Sequence, residues 1–130
     1  MNTYRYFNPN PLGAVRTRDC VIRAMCAVLD IPWDDAFDIV AERAKQMGTT
    51  MDENAVYGSI LRQCGFYRAV PPNTCPDCLT AREFCLDHPV GDYVLGFDGH
   101  VAAVINGVLL DSWDSSDMIV QYYWGCENDV

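Results

Sequence analysis

Gly99-His100-Val101-Ala102-Ala103-Val104-Ile105-Asn106-Gly107-Val108-Leu109-Leu110-Asp111-Ser112-Trp113 is the stretch that decides the fold of this chain. Two apolar runs flank Asn106-Gly107, the dipeptide best suited to a two-residue type I′ turn, so the segment predicts an antiparallel hairpin. In that turn Ile105 pairs with Val108, Ala102 with Asp111 and His100 with Trp113. Opposed residues share a face. Asp111 therefore lies diagonally beside His100, at a distance an imidazole and a carboxylate can close, whereas Ser112 and Asp114 point the other way.

Working outward, Tyr93 to Phe97 reads as the preceding strand, joined by the Asp98-Gly99 turn, and Met118 to Trp124 as a following one. Together these predict an antiparallel β-meander in the C-terminal third. The earlier chain has helical texture. Asp19 to about Leu29 predicts a helix with Asp19 as N-cap, Cys20 in the first turn and Arg23 as the only interior charge. Its apolar residues cover most of the circumference, which predicts a largely buried hub. A second helix begins near Pro32 and ends before Gly48, with an apolar stripe of Trp33, Phe37, Val40, Ala44 and Met47. A third runs from Asp52 to Cys64, followed by a short strand from Phe66 to Val70. Thr80-Ala81-Arg82-Glu83 has the form of a capping box and predicts a short helix to about Asp87. The expected class is α+β: N-terminal helices, with a central one starting at Cys20, packed on a C-terminal antiparallel meander.

Composition sets the outer bounds. The chain has 130 residues, half of them hydrophobic and about a fifth charged, which fits one globular domain spanning residues 1–130. Nine scattered basic residues against a net charge of -9 argue against a nucleic-acid partner, whose affinity comes from Lys and Arg on phosphates. The polar lead segment lacks an apolar signal core, and no stretch approaches the ~20 apolar residues of a membrane span. A cytoplasmic protein with no membrane partner is expected.

Of the seven cysteines, most read as small buried hydrophobes kept reduced. Cys75-Pro76-Asp77-Cys78 is a CxxC in a proline-rich loop. Cys75 and Cys78 are weak zinc candidates, since neither Cys64 nor Cys85 completes a second CxxC. No metal or other cofactor is expected.

Cys20 stands apart because a helix N-terminus lowers a thiol pKa, and the thiolate is the nucleophile. A base must reach it, and that base needs an orienting partner on its other nitrogen. The only histidines are His88 and His100. His88 precedes a proline at a helix end, a capping or surface location. His100 opens a strand, and the hairpin register gives it Asp111.

Gly99-His100-Val101-Ala102-Ala103-Val104 and Leu110-Asp111-Ser112-Trp113 resemble the histidine strand and the Asn-Ser-Trp strand of papain-like cysteine peptidases. The chain order nucleophile, base, orienter is similar as well. Asp19 to Ala24 also resembles the Asp-Cys-Val-hydrophobic-Arg-Ala helix start of small phage-borne and prophage-borne proteins with that fold. The resemblance implies Cys20 as nucleophile, His100 as base, Asp111 as orienter and Trp113 as the residue shielding the His100–Asp111 contact from water. It implies a hydrolase acting on a peptide or protein substrate through a thioester. The family's oxyanion glutamine, six residues before the cysteine, is Ala14 here. Asn8, Asn10 and Thr17 are the candidates for that second donor beside the Cys20 backbone N–H. The alternative is a binding module: the same scaffold, phage-derived, recognising a host protein through aromatic residues such as Tyr4, Tyr6, Phe7, Tyr122, Tyr123 and Trp124 on an acidic surface. Ordinary core or strand packing is the other reading of each aromatic.

Overall fold

The computed structural model describes residues 2–72 and 78–126. In chain order its elements are β1 (Tyr4–Tyr6), α1 (Cys20–Leu29), α2 (Trp33–Met47), α3 (Asn54–Gln63), β2 (Phe66–Ala69), α4 (Ala81–Asp87), β3 (Asp92–Phe97), β4 (His100–Ile105), β5 (Val108–Asp111) and β6 (Tyr122–Cys126). The class is α+β, as the texture of the two halves predicts.

The β4–β5 hairpin forms as read. Asn106 and Gly107 both take positive φ, 47° and 76°, which is what a type I′ turn requires, and Ile105 pairs with Val108. One step beyond the last paired residues, Ala103 and Leu110, Asp111 comes level with Ala102. β3 lies antiparallel to β4, with Phe97 opposite His100.

The sheet departs from a plain meander in two places. Its order is β1-β5-β4-β3-β6-β2, so β6 crosses back to pair with β3 rather than extending past β5. The lead segment, which has no strand signal, supplies β1, paired parallel to β5 with Tyr6 opposite Asp111. A three-residue strand has no periodicity of its own. It exists because β5 would otherwise present an open edge, and the Phe7 N–H extends the pairing by donating to the Asp111 carbonyl at 2.8 Å.

Both faces of the sheet are covered. On one, α1 packs across β4, and α2 and α3 follow it. Ile22, Met25, Val40, Val56, Leu61, Val94, Val101 and Trp124 form that core. On the other, α4 brings Phe84 and Cys85 against Tyr93, Leu95, Ala102, Val104 and Leu109. Burial on both faces explains why β4 reads as a continuous apolar run instead of an alternating one. α4 begins with the expected capping box between Thr80 and Glu83. Two stripe positions of α2, Phe37 and Met47, are exposed, so the buried stripe is narrower than its sequence pattern. Among the described residues no helix is long and apolar enough to cross a membrane.

Candidate active site

Three element ends meet at one end of the sheet: the first residue of α1, the first of β4 and the last of β5. They carry Cys20, His100 and Asp111. His100 Nε2 bonds Asp111 Oδ2 at 2.6 Å. That leaves Nδ1 for the Cys20 thiol, with which the imidazole also makes a hydrogen bond. The Val101 backbone N–H donates to the same sulfur. The imidazole is held from the sides by Phe97, stacked at 5.9 Å between ring centroids, and Trp113, tilted at 5.0 Å. Trp113 is 48% exposed.

Asp111 is 1% exposed. A carboxylate taken so far out of water needs full hydrogen bonding, and it receives donors on both oxygens. Oδ2 accepts from His100 and from Ser115 Oγ at 2.7 Å, while Oδ1 accepts from the Ser112 N–H at 2.7 Å and Arg23 Nη2 at 3.2 Å. Burial alone would raise its pKa, but these bonds and the charge of His100 hold the carboxyl below its ordinary range.

Arg23, itself buried, bridges Asp111 to Asp19, with which it forms an ion pair one helical turn away. Asp19 Oδ2 also accepts from Trp33 Nε1 at 3.0 Å and from Asn10 Nδ2 at 3.3 Å. This corrects the expected cap. Asp19 occupies the N-cap position of α1, but its side chain caps no helix amide because Arg23, Trp33 and Asn10 engage the carboxylate. The first N–H groups of α1, which have no intrahelical acceptor, are therefore uncapped beside Cys20.

The same contacts set the titration of the pair. Burial pushes the Cys20 thiol up, but the His100 hydrogen bond, the Val101 N–H and the charges of His100 and Arg23 bring it below the ordinary thiol value. Burial pushes His100 down, yet its bonds to Asp111 and Cys20 and their charges raise it to about 9. The two shifts run in opposite directions, both toward a thiolate facing an imidazolium.

No known family, curated protein or solved structure matches this chain.

The remaining candidates fall elsewhere. Asn10 Nδ2 donates to Asp19, and Asn8 Nδ2 donates to the Ala14 carbonyl at 3.1 Å and contacts the Tyr6 hydroxyl at 3.5 Å. Thr17 is exposed just before α1 and makes no side-chain hydrogen bond among the described residues. His88 stacks on Phe84 and bonds the Phe84 carbonyl through Nδ1 at 2.9 Å, a capping role. Cys75 lies outside the described residues, and Cys78 is in a disulfide. Among the described residues no three His, Cys, Asp or Glu side chains converge on a metal site. Tyr122 and Trp124 are buried in the core.

Arg23 and Ser115 are the contributors missing from the sequence reading. Arg23 stood out as the single charge in an apolar helix, a signal that it must find buried partners. Ser115 carries no comparable signal.

Proposed function

We propose that this chain is a papain-like cysteine hydrolase of the peptidase or amidase type, with Cys20 as nucleophile, His100 as general base and acid, and Asp111 as the residue orienting the imidazole. The observation that carries the proposal is the partly buried His100 ring, bonded to Asp111 through Nε2 and coupled by hydrogen bonding to the thiol of Cys20.

The Cys20 thiolate attacks the substrate carbonyl carbon, forming a C–S bond and moving the carbonyl electrons onto oxygen. The uncapped amides at the start of α1 face developing negative charge, the situation in which a helix N-terminus stabilises most. As the tetrahedral adduct collapses, the imidazolium of His100 gives its proton to the leaving amine and the C–N bond breaks. The neutral imidazole then takes a proton from water, whose oxygen displaces Cys20 from the thioester. Asp111 keeps its charge throughout and stabilises each imidazolium stage. Peptide, isopeptide, glutamine-side-chain and thioester carbonyls all fit this sequence of steps.

The test is peptide mapping by mass spectrometry after brief exposure to p-nitrophenyl acetate. An acetyl thioester on Cys20, absent from the other thiols and from the His100→Ala variant, is the expected result. Acetylation spread evenly over the exposed and buried cysteines, or unchanged in that variant, refutes the assignment.

A further inference from the structure

An acyl-transfer site gains most from a second donor at the oxyanion, and in the lead segment the Asn8 and Asn10 side chains already donate to Ala14 and Asp19. On the sheet face that α1 covers, a different pair of donors is present. The hydroxyls of Tyr57, on α3, and Tyr122, on β6, are hydrogen-bonded to each other in the interior. Tyr57 is 1% exposed and Tyr122 8%.

The path of the Tyr122 side chain can be followed from Gly96. Gly96 is the β3 partner of Tyr122 on one side and of Val101 on the other. A Cβ at Gly96 would stand 2.1 Å from Tyr122 Cζ, so the ring lies flat on the β3 backbone where any other residue would carry a side chain. Ring atoms above Gly96 have crossed one strand from β6 toward β4, and the hydroxyl extends further in that direction. The next residue on that path is Val101, whose N–H holds the Cys20 sulfur. Cys20 packs against the same cluster that contains Tyr57 and Tyr122.

The pair has a proton to give. Two hydroxyls own two protons, and the bond between them uses one; no other acceptor for either hydroxyl is found among the described residues. Burial first, then the bond to Tyr122 and the negative charges of Tyr122 and Cys20, push Tyr57 far above the ordinary phenol value, so its proton stays in place while the thiolate is present. Arg68 lies over the Tyr122 ring, 4.6 Å from its centroid, and holds the ring in place by a cation–π contact.

We propose that the Tyr57–Tyr122 hydroxyl pair is the side-chain oxyanion donor of this site, giving an O–H hydrogen bond to the carbonyl oxygen of the substrate attacked by Cys20. The inference rests on the proposed hydrolase reading. It places the second donor not before the nucleophile in sequence but across the sheet from it.

Two reactions of one thiolate separate this role from any effect on the thiol itself. Acylation by p-nitrophenyl acetate passes through an oxyanion; alkylation by iodoacetamide displaces iodide and does not. Tyr122→Phe and the double variant Tyr57→Phe/Tyr122→Phe, which leaves no buried hydroxyl without a partner, should acylate Cys20 about 100-fold more slowly than wild type. Their alkylation rate should stay within about twofold of it, which also reports an intact site. Acylation at the wild-type rate, or equal slowing of both reactions, overturns the proposal. If the wild-type Cys20 is alkylated quickly but never acylated, the hydrolase reading fails and this proposal with it; wild-type acylation unaffected by the Phe variants removes this proposal alone.

Discussion

Helix α1 carries two thiols, Cys20 at its first position and Cys26 on its buried flank, and their surroundings drive them apart. Burial raises both. Cys26 has little to oppose it: desolvation and the negative charge of Asp19 push its thiol up to about 11, with only a backbone hydrogen bond in the other direction. Cys20 meets His100, the Val101 N–H and the charge of Arg23, and ends below the ordinary value. Residue type and helix are the same, so reactivity follows from position in the helix and from what the sheet brings to that position. Cys85, on the sheet-facing side of α4 and pushed up to about 11 by burial, behaves like Cys26.

Arg23 stands between the two thiols, and its removal should have the largest effect. Arg23→Met leaves Asp19 and Asp111 buried without their shared counter-charge, which destabilises the protein by about 3–5 kcal/mol in a denaturant titration. It should also raise Cys20, erasing part of the contrast with Cys26. Stability within about 1 kcal/mol of wild type, the range of an exposed pair, would show that the bridge is solvated.

His100→Ala breaks the comparison at Cys20 alone. Without the imidazole, the largest influence left on Cys20 is burial, as at Cys26, and the thiolate fraction at pH 7 falls. Iodoacetamide labelling of Cys20 should slow by roughly 30-fold, with Cys26 unchanged. An unaltered rate would mean that His100 does not hold the thiolate. The smallest effect belongs to Trp113→Ala. The indole is half exposed and contributes one ring contact to His100, so labelling should fall by about fivefold, the equivalent of about 1 kcal/mol.

The hairpin shows how much of this site is legible in sequence. Asn106-Gly107 sets the register locally, and register alone picks Asp111 over Asp114, which instead accepts from Ser116 on the surface. The helix start at Cys20 is equally local. What sequence could not give is long-range: Arg23 finds Asp111 across 88 positions, and Tyr57 finds Tyr122 across 65. Strand β1 and the return of β6 to β3 are decided by which sheet edges are open, not by their own residues. Asp19 was legible as an N-cap by type and place, but a nearby buried guanidinium is a stronger partner for a carboxylate than a helix amide, and it takes the side chain.

The central claim is that His100, bonded to Asp111 and Cys20, keeps its proton while the thiol loses its own. Its direct measurement is the titration of the His100 ring by NMR. Because the partners raise the ring's pKa, it should remain protonated through neutrality and lose its proton near 9, and Cys20→Ala should lower that value by removing one of the groups that raise it. A ring that titrates at about 6.5, the value of an unperturbed imidazole, and does not move in Cys20→Ala contradicts the account.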